Sequence, residues 1–115
     1  MASDLHPVLS IRLFRKEKCF GSGIAQLLRQ VEIHHSLRGA ALSMGMAYSK
    51  AWTVMRRSEE ELGFPLLIYA TGGRHGGGAS LTPEAKGMLA AYDRYCEKLQ
   101  KVSEDLFQEE FREFL

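Results

Sequence analysis

Met44-Gly45-Met46-Ala47-Tyr48-Ser49-Lys50-Ala51-Trp52-Thr53-Val54-Met55-Arg56-Arg57-Ser58-Glu59-Glu60-Glu61-Leu62 decides the fold. A tight turn at Gly45 feeds a helix with two unlike faces. At about 100° per residue, Ala51, Val54, Met55, Ser58 and Leu62 fall on one side. Ser49, Lys50, Thr53, Arg56 and Arg57 fall on the other. An apolar back and a short-polar, basic front suit a helix that sits in a DNA major groove. Arg and Lys reach guanine edges or phosphates, and Ser and Thr bond to either. The competing reading of this stretch alone is a solvated amphipathic helix, and the flanking sequence has to decide between them.

Upstream, Ser36 is a suitable N-cap, and Leu37, Ala40, Ala41 and Met44 follow i, i+3, i+4, i+7. This predicts a helix of about two turns, ended by a turn over Ser43 to Met46. Ile24, Leu27, Leu28 and Val31 give an earlier buried stripe, with Gly21-Ser22-Gly23 breaking the chain and Ser22 as its expected cap. His34 and His35 close that helix. Adjacent residues point in different directions, so the pair is read as complementing the helix dipole or packing locally, not as a metal site. From Val8 to Arg15, Leu9, Ile11 and Leu13 alternate with polar groups, which predicts a half-buried strand. The charged Lys16 to Lys18 mark its end or a turn.

Downstream, Gly63 and Pro65 stop the two-faced helix. Leu66 to Ala70 predicts a strand, followed by a run with five glycines in seven residues, 72–78, and then the short Ala79-Ser80-Leu81-Thr82. The glycine run lacks the Gly-Lys-Ser/Thr of a phosphate loop, and no helix follows it directly, so a nucleotide cradle is excluded. A hairpin remains, either a passive loop or a wing that lies on DNA with Arg74 at its tip. Thr82-Pro83-Glu84 is a helix start: cap, proline at the first position, acid in the first turn. Ala85, Met88, Leu89, Tyr92, Cys96, Leu99, Val102 and Leu106 then recur at spacings of three and four, Met88 and Leu89 being adjacent. The helix should run to about Phe107, or about 36 Å at 1.5 Å per residue. It outreaches a small body, and its apolar stripe needs a partner, most simply a second copy. The expected dimerisation residues are Met88, Leu89, Tyr92, Cys96, Leu99, Val102 and Leu106.

Strand, three helices, two-stranded wing and long helix make an α+β chain, mostly α: a winged helix-turn-helix over residues 1–82 and a dimerisation helix with an acidic tail over 83–115, one structural domain overall. The 115 residues suffice for one proper core. The net charge of +1 conceals an uneven distribution. Residues 1–95 hold 12 Lys/Arg against 8 Asp/Glu, and residues 96–115 hold 3 against 6. Cys19 and Cys96 have no metal-ligand or disulfide-framework spacing and read as reduced thiols. With a polar N-terminus and no run of ~20 apolar residues, no signal peptide or membrane span is expected, and the chain reads as cytoplasmic. No Ser/His/Asp arrangement, paired metal ligands or phosphate loop points to an enzyme.

The residues themselves now carry a resemblance. Met46-Ala47-Tyr48 followed by Ala51-Trp52, with Thr71-Gly72-Gly73 and Gly76-Gly77-Gly78 ahead of Leu81-Thr82, resembles the N-terminal DNA-binding domain of the ModE-type molybdate-responsive regulators, itself related to the LysR-type winged helix. The resemblance covers about Val8 to Leu99. It implies a homodimeric regulator of transcription bound to double-stranded DNA, with Tyr48 to Arg57 in the major groove and the wing alongside. Ser49, Lys50, Thr53 and Arg56 would then contact bases or nearby phosphates, Arg57 and Arg74 phosphates or the minor groove, and Tyr48 and His75 would border them. Trp52 is expected to pack against the wing. Two departures stand out. Ala47 occupies a position where the family usually has Ser, so a helix-capping oxygen is missing. Full-length members also carry molybdate-binding domains, and nothing in these 115 residues could be one. Molybdate therefore stays an association of the family, and the expectation is a short form without a cofactor of its own. The alternative function is a winged helix that docks a protein instead of DNA.

Overall fold

The computed structural model describes residues 4–70 and 77–115. Arg74, His75 and the glycines at 72, 73 and 76 lie outside the described residues.

The N-terminal strand is shorter than its alternation predicts. Only Leu13–Phe14 is paired (β1), antiparallel to Lys18–Phe20 (β2), a strand that the sequence did not announce. Leu9 and Ile11 run beside the long helix instead, where the Ile11 carbonyl accepts a 2.7 Å bond from the Tyr92 hydroxyl. Residues 15–17 form the bend of this hairpin, so the charged stretch marks a turn.

Helix α1, Ser22–His34, buries Ile24, Ala25, Leu27, Leu28 and Val31. Its N-cap is Gly21 and not Ser22, which is already helical, and no side chain caps that end. The C-terminal His35 adopts the left-handed conformation, φ 58°, and its carbonyl accepts from Ala79 N at 2.8 Å. The histidine pair thus ends a helix and joins it to the wing. Gly78 comes so near that a Cβ there would meet the His35 carbonyl oxygen at 2.9 Å. A side chain at this position would push the wing off the helix.

Helix α2, Leu37–Ser43, is capped as expected by Ser36, whose Oγ accepts from Gly39 N at 2.8 Å. The turn to α3, Tyr48–Leu62, passes through Gly45 at φ 64° and is closed by Met46 N on the Ala41 carbonyl at 2.9 Å. A residue with a Cβ is strained in that conformation. Helix α3 starts at Ala47 with no side-chain cap, so the missing oxygen is missing in fact, and it ends at Gly63.

Strands β3, Leu67–Tyr69, and β4, Ala79–Leu81, pair antiparallel as the wing, Leu67 opposite Leu81. Thr82 then does two jobs. Its hydroxyl donates to the Pro65 carbonyl at 2.8 Å and accepts from Ala85 N at 3.0 Å, so one buried side chain caps the last helix and ties it to the wing. That helix, α4, spans Pro83–Glu110, three residues beyond the expected end and about 42 Å long at 1.5 Å per residue. A short 3-10 turn, Arg112–Phe114, follows.

The core gathers one face of each element: Phe20, Leu27, Leu28, Val31, Met55 and Leu66 are its largest fully buried side chains. Phe20 meets Tyr92 edge-on at 5.1 Å between ring centroids. Ser58 is the buried polar exception on α3, and its hydroxyl donates to the Cys19 carbonyl, so the helix is bonded to β2 as well as packed on it. Among the described residues no helix is long and apolar enough to cross a membrane.

Candidate nucleic-acid interface

Burial divides α3 as its periodicity requires. Ala51, Met55, Ser58 and Leu62 are buried and Val54 is half-buried. Ser49, Lys50, Thr53, Arg56 and Arg57 are all exposed. The front is organised in three columns at the helical repeat. Lys50 and Arg57 form one flank, Ser49 and Thr53 the centre, and Tyr48, Trp52 and Arg56 the other flank. Among the described residues no acidic side chain pairs with Lys50, Arg56 or Arg57, the one ion pair being Arg29 with Asp93 far behind them. The Thr53 hydroxyl donates to the Ser49 carbonyl at 2.9 Å, which leaves its oxygen lone pairs outward as acceptors.

Glu59 looks, in sequence, like a charge that would dilute this basic face. Its carboxylate instead turns to the loop before the wing, where Oε2 accepts from Leu66 N at 2.7 Å and Leu67 N at 3.4 Å. It is committed to holding β3 against α3 and marks the Tyr48–Trp52–Arg56 flank as the wing side.

Trp52 is not packed away as expected. It is 43% exposed, with the Arg56 guanidinium over its ring at 5.1 Å. Small Ala51 and flexible Met55 fill the space under the helix, and no room in the core calls for an indole. Tyr48, 37% exposed, carries the Arg38 guanidinium at 4.2 Å. On the wing, Tyr69 is exposed, and burial of its hydroxyl, then the Glu59 carboxylate, raises its pKa above the ordinary value. It is therefore a neutral donor at neutral pH. Arg38 and Tyr69 were not singled out by sequence, because they come from the neighbouring elements α2 and β3, and a contact between elements leaves no periodic trace. The signal available was only a solvent-facing basic residue at the second position of α2.

The expected dimerisation stripe divides. Leu89 and Tyr92 are buried in their own chain's core, and Met88 and Cys96 pack against it. Leu99 is half-buried, and Val102 and Leu106 are more than half exposed. An apolar groove of about 410 Å³ runs between Leu9, Ile11, Leu99, Val102, Leu106 and Phe111. Among the described residues no group of three or more His, Cys, Asp or Glu side chains could hold a metal ion.

This geometry is that of a helix-turn-helix with a wing, and residues 25–86 match the bacterial regulatory helix-turn-helix family of the LysR type. The chain belongs to that family. The matched stretch runs from α1 through the turn, α3 and the wing to the start of α4. Within this LysR-type family the domain is similar to those of ModE proteins. The chain is 32% identical to the transcriptional regulator ModE of Haemophilus influenzae over 85 residues, 74% of this chain and 33% of that protein. It is 35% identical over 72 residues to the molybdenum-pterin-binding protein MopB of Rhodobacter capsulatus, 63% of this chain and 27% of that one. To the DNA-binding transcriptional dual regulator ModE of Escherichia coli K12 it is 30% identical over 76 residues, 66% and 29%. The chain spans about a third of the length of the curated relatives it matches. These relatives are named as regulators and binding proteins, and the LysR-type family is a regulatory one rather than an enzyme family.

Proposed function

We propose that this chain is a transcriptional regulator that binds duplex DNA as a homodimer, with α3 in the major groove and the wing alongside. The observation that carries this reading is the two-faced α3: a back packed through Ala51, Met55, Ser58 and Leu62, and an exposed front whose Lys50, Arg56 and Arg57 have no acidic partner among the described residues. Ser49, Lys50, Thr53 and Arg56 take the base-edge and nearby phosphate contacts, Tyr48 borders them, and Arg57 takes a phosphate. Arg74 and His75 take the wing-tip contacts. Val102 and Leu106, with the groove beside them, supply the surface for the second copy. In this reading the protein works in the cytoplasm, and the molybdenum-pterin binding in the name of the Rhodobacter capsulatus relative, of which the chain covers 27%, is not carried over to it.

Fluorescence anisotropy against the DNA upstream of its own gene and a scrambled duplex, at two salt concentrations, tests the reading. Tighter, salt-weakened binding to the upstream duplex is expected, with the log–log slope falling by about one per phosphate contact removed. Failure to bind either duplex at low salt would turn the reading towards a protein-docking module. Lys50→Ala should relax base preference at one position and cost about 1–3 kcal/mol on the preferred sequence. Unchanged affinity and preference would remove Lys50 from the interface.

A further inference from the structure

On the wing side of α3, Tyr48, Trp52 and Arg56 stand at i, i+4 and i+8, and two guanidinium groups lie over the two rings. Neither ring is needed by the core, which α3 fills with Ala51, Met55 and Leu62. A guanidinium stacked through its face keeps its N–H edge free, and its rotamers are already restricted before a ligand arrives. Arg56 belongs to the front already described. Arg38 does not: it comes from α2 and lines a groove of about 380 Å³ together with Ser36, Tyr48, Tyr69, Gly77 and Gly78. The groove runs between the start of α2 and the base of the wing, alongside the N-terminal end of α3. It offers one fixed cation, two tyrosines and glycine backbone that a chain can approach closely. Leu37, Leu42 and Ala79 add apolar lining, and the cation, the hydroxyls and the open glycine backbone are what a phosphodiester strand would meet there.

We propose that Arg38 is a phosphate contact to the DNA strand passing between α2 and the wing, and that Tyr48 is its positioning residue, as Trp52 is for Arg56. The inference rests on duplex DNA being the partner. Arg38 anchors the strand at the edge of the major groove that α3 enters, and the ring of Tyr48 fixes where that anchor stands.

The probe is the duplex enriched from a random-sequence pool by the wild-type protein, titrated by anisotropy over a range of salt. Arg38→Ala should lose about tenfold in affinity, and its salt slope should fall by about one. Arg38→Lys should keep the slope and lose affinity, because the charge stays while the planar stack goes. Tyr48→Phe, which retains the ring, should keep most of the affinity, and Tyr48→Ala should not. The Arg38→Ala/Tyr48→Ala double variant should bind little worse than Arg38→Ala alone. Melting temperatures identify any variant that fails to fold, and Arg38→Ala, Arg38→Lys and Tyr48→Phe carry the test without Tyr48→Ala. Wild-type affinity and slope in Arg38→Ala would overturn the inference and leave DNA binding standing. Additive losses in the double variant would overturn the role given to Tyr48. A wild-type protein that enriches no duplex would overturn the DNA reading itself, and this inference with it.

Discussion

Along the first three turns of α4, Ala85, Leu89 and Tyr92 are buried against α1, β2 and the wing. From Tyr95 to Leu115 no side chain is buried, although apolar residues continue at helical spacing through Leu99, Val102 and Leu106. The two halves share one helix and one periodicity, and they differ in what lies opposite. Near its start α4 packs on the body, and farther on the body has ended: the molecule measures 61 × 31 × 21 Å. An amphipathic stripe therefore says that a surface will be covered and leaves open by what. Phe107, Phe111 and Phe114 lie beyond the body and meet one another, Phe107 stacked on Phe111 at 5.0 Å between ring centroids and Phe111 tilted against Phe114 at 6.4 Å.

The sharpest way to break the comparison is to charge the outer half. In the proposed dimer, Val102→Glu with Leu106→Glu places carboxylates in the seam. Light scattering should show the dimer replaced by monomer, and the affinity for a two-half-site duplex should fall by about 10²-fold or more as the second half-site becomes an independent event. The melting temperature of the body should scarcely move. A variant that stays dimeric would place the interface elsewhere.

Truncation of one leucine in each half comes next. Leu89→Ala empties a site that is 8% exposed, and should cost about 2–5 kcal/mol in urea unfolding. Leu106→Ala, at a site 52% exposed, should cost the monomer well under 1 kcal/mol and weaken self-association instead. Equal costs for the two would mean that the halves are not distinct.

The same contrast explains what was legible in the sequence. Helices and wing announced themselves through punctuation: Gly45 in the turn, Gly63 after α3, and Thr82-Pro83-Glu84 before α4 are residues whose local chemistry leaves few choices. The front of α3 followed from its period alone. The strand β2 did not, because Lys18-Cys19-Phe20 is short and follows charges, and its pairing is set by Ser58 on α3 and by Leu13 across the hairpin. The exposure of Trp52 was missed because size suggested burial, whereas the space beneath α3 was already taken. Arg38 was missed because a cross-element stack leaves no periodic trace. The commitment of Glu59 to the wing left no sequence signal, because its partners are backbone amides seven and eight residues away.

A smaller loss of stability than at Leu89 is expected where the two halves meet, at Tyr92. Its hydroxyl donates to the Ile11 carbonyl at 2.7 Å, fastening the N-terminal segment to α4 just before the helix leaves the body. Burial first, then the hydrogen bond with Cys96, push the Tyr92 hydroxyl from 10.0 up to about 12. The folded chain thus holds this proton more tightly than the unfolded chain does. The stability linked to it is complete below about pH 10 and is lost as pH rises towards 12. Tyr92→Phe keeps the ring against Phe20 and removes the bond, so at neutral pH it should cost about 1 kcal/mol. Between pH 10 and 12 the wild type should lose stability faster than the variant, and the two melting curves should converge. Parallel decline over that range would show that Tyr92 does not titrate with unfolding, and a neutral-pH cost near zero would show that the N-terminal segment is held by its apolar contacts alone.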